Sequence, residues 1–178
     1  MNPIAELRRR LDNLIRPGTI YAVDVDNNRC RVKSGELLTD WLRYFVGRAG
    51  TVRRHSAPTN NEQCLVFSPS GEMGAGFVLV GLNSDEFPGP SQNPELDSAT
   101  YSDGTWFGYD EGTGDMTVSM RADGQIHINA PGGVNITGPV KITGLVTVTD
   151  DLVAGGISLV NHQTTGVTSG NDLSGPPQ

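Results

Sequence analysis

Over the first fifteen residues the apolar side chains Ile4, Leu7, Leu11, Leu14 and Ile15 recur every three or four positions. That is the spacing of one helical face, and Pro17-Gly18 ends it, which predicts an N-terminal helix over 1–17. From Thr19 the period drops to two. The runs TIYAVDVD and RCRVK flank an Asn27-Asn28 pair able to adopt positive φ and predict a β-hairpin. Three further strand-like runs follow, LLTDWLRYFV, EQCLVFS and GFVLVGL, with SPSGEMGAG the clearest of the turns between them. About five short strands within 18–83 predict a small barrel of the OB type. The proline-rich, acidic stretch SDEFPGPSQNPELDS has no period and predicts a linker, set at 84–103.

Beyond the linker, one alternation phase persists from 118 to 148. Val118, Met120, Ala122, Ile126, Ile128, Ala130, Val134, Ile136, Val140, Ile142, Val146 and Val148 are all even-numbered, while the odd positions are mostly polar. The phase runs unbroken through Gly124, Gly132, Gly138 and Gly144, so short strands follow one another without a loop long enough to reset it. An apolar face of this length must be buried, and nothing else in the chain is apolar enough to cover it. Three copies wound about one axis would bury the even positions together, as an intertwined triple-stranded β-helix over 104–160. A single-chain left-handed β-helix of hexapeptide repeats, with about 18 residues per coil, and a β-sandwich are the alternatives.

Composition agrees with a chain that borrows its core. Of 178 residues only 36% are hydrophobic and 6% aromatic, against 23 Gly and 11 Pro, too few large side chains for one big interior. The net charge of −7 conceals an asymmetry: residues 1–55 carry +5 and residues 56–178 carry −12. The acidic part cannot neutralise phosphates, so any nucleic-acid role would fall to the first third. No run reaches the roughly 20 apolar residues of a membrane-spanning helix, and the charged N-terminal pattern is not that of a signal peptide, so assembly in the cytoplasm is expected. Cys30 and Cys64 occupy alternating apolar positions of strands, as small buried hydrophobes rather than a disulfide.

Candidate chemistry is sparse. No nucleophile, metalloprotease or phosphate-loop motif is present, and Asp110, Glu111 and Asp115 fall in a glycine-rich turn, where carboxylates are solvated, so no enzymatic activity is expected. Trp41, Tyr44 and Phe45 with Arg48, Arg53 and Arg54 offer a nucleic-acid reading of the barrel. Their mixed spacing suits core and subunit contacts better. His55 and His127 read as surface residues. A trimeric receptor-binding fibre or adhesin would share the β-structure but end in a broader, aromatic-rich head, whereas no aromatic follows Tyr109.

The strings GELLTDWLRYFVGRAG (35–50), EQCLVFSPSGEMGAGFVLVGL (62–82), YSDGTWFGYD (101–110) and GISLVNHQTTGVTSGNDLSGPPQ (156–178) resemble the phage baseplate assembly protein V family of contractile tails, with its central spikes. R-type pyocin spikes look alike. The resemblance implies an all-β homotrimer: an N-terminal OB-fold, a triple-stranded β-helix and a pointed C-terminal tip, here 161–178. It implies a virion or pyocin-particle spike that docks on the baseplate hub and tail tube through its N-terminal half and pierces the host outer membrane. No nucleic-acid partner is expected. The family's tip carries a His-x-His motif whose three copies surround iron. Here the string is His162-Gln163-Thr164, so the second histidine is missing. Three copies of His162 on the axis, with Thr164 on the same side, are the remaining candidates for a tip metal, iron first.

Overall fold

The computed structural model describes residues 3–163 and 170, in two compact units, Met1–Gln125 and Ile126–Gln178. Helix α1 spans Pro3–Leu14 and buries none of its residues. In its first turn Glu6 accepts bonds of 2.8–2.9 Å from Arg9 and Arg10, and these two cations pull the Glu6 carboxyl down to about 2. The helix ends three residues before the Pro17-Gly18 stop that the sequence predicts. Ile15 already belongs to strand β1 (Ile15–Asp24), because residues 15–19 pair with strand β5 (Gln63–Phe67).

β1 is the hinge of the barrel. Its first half lies antiparallel to β5, and its second half, from Thr19, lies antiparallel to β2 (Arg29–Ser34). At the changeover, a Cβ on Gly18 would stand 2.5 Å from Val32 Cγ1 and 2.7 Å from the Lys33 carbonyl, so only glycine allows this crossing. Ser34 Oγ donates to the Pro17 carbonyl at 2.7 Å beside it. The β1–β2 turn is the predicted one, with Asn28 at φ 52 and Asp24 accepting from both the Asn27 amide and its side chain.

After the two-residue β3 (Leu37–Leu38), strands β4 (Leu42–Tyr44), β5 and β6 (Phe77–Leu82) complete the order β1-β5-β6-β4-β2, and the β1–β2 pairing closes it. β4 and β6 are parallel and the other neighbours antiparallel, the closed five-stranded Greek-key arrangement of an OB barrel. The core follows the predicted period of two: Ile20, Cys30, Val32, Leu42, Cys64, Val66 and Val78 are all buried. Between β5 and β6 the chain makes two tight turns, Pro69–Gly71 and Met73–Ala75. Gly71, at φ +73, lies so close to Arg10 that a Cβ would stand 2.5 Å from the Arg10 carbonyl oxygen. This contact seats α1 against the barrel.

A three-stranded meander follows, β7 (Leu96–Thr100), β8 (Trp106–Asp110) and β9 (Asp115–Ser119). β7 lies inside the stretch read as linker 84–103. Its sequence, LDSAT, has too weak an alternation to announce a strand, and it is ordered by pairing along the length of β8. Gly108 is buried because the Trp106 ring and Ser98 Cβ close over the space a side chain would need.

In the second unit, strands β10 (Val153–Ala154) and β11 (Ile157–Ser158) form a short hairpin around Gly155 and Gly156, both at positive φ. Among the described residues, 126–150 form no strand pairing within the chain.

Candidate functional site

The even-numbered row is laid bare. Ile126, Ile128, Val134, Ile136, Val140, Ile142, Val146 and Val148 are each between 47% and 73% exposed. A single-chain β-helix would stack its coils through in-chain strand ladders, and a sandwich would face a second sheet. Neither form is present among the described residues of 126–150. Both the apolar side chains and the backbone polar groups of this tract therefore lack cover that one chain supplies.

The same phase extends backwards onto a formed sheet. In β9, Met116 and Val118 stand opposite Tyr109 and Phe107 of β8, and all four are exposed. Phe107 and Val118, with Tyr101 and Met120, border an apolar hollow of about 550 Å³. Sequence reasoning began this row at Val118 and missed its upstream end. The available signal was the alternation of FGYD with DMTVSM across the Gly112–Gly114 turn. That turn accounts for the carboxylates considered as catalytic: Asp110 accepts from the Gly112 and Thr113 amides and from Asn93 Nδ2 at 2.8–3.2 Å, so it shapes the hairpin. Glu111 and Asp115 flank it without converging on a common point.

The thiols are inert by environment. Cys30 and Cys64 are unpaired and fully buried, and burial raises their pKa values to about 11 and about 12. Each of the aromatics offered for base stacking has a neighbour within the barrel, although Trp41 and Phe45 stay exposed. The Arg31 guanidinium sits 5.9 Å above the Trp41 ring, Phe45 meets Phe77 edge-on at 6.4 Å, and Tyr44 packs against the core. Arg48, Arg53, Arg54 and His55 do come together, around a cleft beside Tyr44. His127 is exposed.

His162 follows β11 in an exposed turn, its Nδ1 2.9 Å from the Leu159 carbonyl. A carbonyl partner fixes the proton on Nδ1 and leaves the Nε2 lone pair available. Thr164 lies outside the described residues. Within one chain, the described residues hold no group of three His, Cys, Asp or Glu able to bind a metal. One imidazole per chain would need further ligands from outside the described residues to hold a metal.

The chain thus joins in sequence a closed OB-type barrel and a tract left exposed among the described residues. Residues 16–82 match the model of the Type VI secretion system/phage-baseplate injector OB domain. It is also similar to the spike protein of Escherichia phage P2, 40% identical over 116 residues, which cover 65% of this chain and 55% of that protein. The chain thus spans just over half the length of that relative. Both matches support the baseplate protein V and spike family to which the sequence strings point.

Proposed function

We propose that this chain forms the trimeric central spike of a contractile-tail baseplate, a non-enzymatic needle that punctures the host outer membrane when the sheath contracts. The observation that carries the reading is the exposed apolar row of 126–148, joined in sequence to an injector-type OB domain. Three such rows wound about one axis would bury the even side chains. They would also give each backbone a ladder to its neighbours, so no chain could leave without breaking hydrogen bonds to the other two. That is the mechanical property a needle needs under axial load. The tip requires no affinity for a receptor, because its work is to concentrate force on a small area.

The N-terminal half is assigned to docking on the hub and tail tube. Its α1 face of Ile4, Leu7 and Leu11 is exposed, and residues 1–55 carry a net charge of +5, suited to an acidic partner. At the other end, three His162 imidazoles would hold a metal, iron first, through Nε2, with water, an anion or Thr164 completing the set. A bound metal would supply a structural cross-link that keeps the three ends together.

Electron microscopy of particles carrying a tagged chain tests the reading. Density on the tail axis beneath the baseplate is expected, with entry of a periplasmic enzyme's substrate into target cells after contraction. Density in peripheral fibres would assign the chain to receptor binding instead.

A further inference from the structure

The OB domain carries two clefts of opposite charge. The first, of about 300 Å³, lies between the tip of the β1–β2 hairpin and the loop after β4. Arg43 enters it from β4. The loop then folds back on itself, with Ala49 bridged to Arg53 and the Arg54 amide donating to the Arg48 carbonyl at 3.0 Å, which brings Arg48, Arg53 and Arg54 to the same wall. The stem of Arg54 runs across Gly47, where a Cβ would meet its Cδ at 3.1 Å. No carboxylate lines this cleft, and among the described residues the ion pairs of the chain involve Arg9, Arg10 and Arg121 alone. Four guanidiniums thus converge without a counter-charge in an acidic protein, and each offers a planar fork suited to carboxylate oxygens.

The second cleft, of about 400 Å³, is bounded by Asn61, Gln63, Asn83, Asp85 and Glu86. No cation lines it. Glu86 accepts from Asn61 Nδ2 at 3.2 Å, and Asp85 forms no ion pair among the described residues. A ring of three identical subunits needs two different patches on each copy, one for each neighbour. From this complementarity we infer that the basic cleft of each protomer receives Asp85 and Glu86 of the next, closing a head-to-tail ring of OB domains. The inference rests on the trimeric reading and adds to it a named contact. Nucleic acid is the poorer occupant. Of Trp41, Tyr44 and Phe45 only Tyr44 lines the cleft, and it packs against the core rather than offering a face for base stacking.

The test is a cross-link in the full chain. Ser56→Cys lines the basic cleft and Asn83→Cys the acidic one. The native Cys30 and Cys64 do not interfere, being buried and weakly acidic. Under mild oxidation the double variant should give a covalent trimer on a non-reducing gel, and neither single variant should. In that background, Arg53→Glu with Arg54→Glu should cut the yield by about tenfold at low salt. Adding Asp85→Arg and Glu86→Arg should restore it. A particle of trimeric mass that yields no cross-link would overturn the ring and leave the trimer standing. A monomeric mass would remove both. Oligonucleotide binding that the arginine reversals abolish, without any cross-link, would assign the cleft to nucleic acid and likewise overturn the ring.

Discussion

Ile136 and Asn135 are adjacent in sequence but belong to opposite phases, and this makes them a matched pair for testing the register. Ile136 is 70% exposed in one chain. Covering an isoleucine of that exposure is worth about 2 kcal/mol per copy, so the threefold set contributes about 6 kcal/mol. Ile136→Asp forfeits that sum and brings three carboxylates together in an apolar prism, each at a desolvation cost of several kcal/mol. The total, on the order of 10 kcal/mol or more per trimer, matches the whole stability of an ordinary domain, so assembly should fail. Asn135→Asp adds the same charge on the wet side, where a substitution changes stability by about 0.5 kcal/mol or less. Light scattering over a range of concentrations reads the outcome: Ile136→Asp monomeric, with the OB barrel still folded by its tryptophan signal, and Asn135→Asp trimeric. Equal behaviour of the two variants would refute the register.

Gly71→Ala places a side chain at positive φ and against the Arg10 backbone, so α1 must lift off. Trypsin should then cleave at Arg8–Arg10 several times faster, whereas Gly74→Ala, which has open space, should change nothing. The buried thiols set an alkaline limit. Their folded pKa values of about 11 and about 12 lie above the ordinary 9.0, so the folded barrel keeps protons that the unfolded chain releases. Thiol-linked stability should therefore be complete below about pH 8 and decline as pH rises from 9 toward 12, read by urea titration at each pH. A Cys30→Ala, Cys64→Ala variant with the same alkaline decline would refute this cause. At the tip, elemental analysis should find about one metal per trimer, iron first. His162→Ala should remove it without changing the particle mass, and metal retained in that variant would exclude His162 as the ligand.

Period-two patterning made the barrel legible, because one face of each strand is buried and the other wet. Ile20, Cys30, Val32, Cys64, Val66 and Val78 fall where alternation puts them. The helix end was less legible. Pro17 and Gly18 look like a stop, yet they sit within β1, where proline's missing N–H is tolerated and glycine permits a close crossing. β7 was hidden because it is held by pairing to β8 rather than by a side-chain pattern of its own. Phe107, Tyr109, Met116 and Val118 form a face only once the register of β8 and β9 is known. The basic cleft is likewise a product of folding: Arg43 lies on a strand, and Arg48, Arg53 and Arg54 meet it through a reversal that RAGTVRRHS does not announce. At the tip, His162 supplies one imidazole per chain, and the threefold set proposed for it cannot be read from a single chain.

The central claim is that three chains bury one another's even-numbered row, and the solution mass tests it most directly. For the 178-residue chain of 19.0 kDa, light scattering should return about 57 kDa at every concentration measured, with a hydrodynamic radius larger than that of a compact particle of the same mass. A monodisperse species of one chain mass would contradict the account.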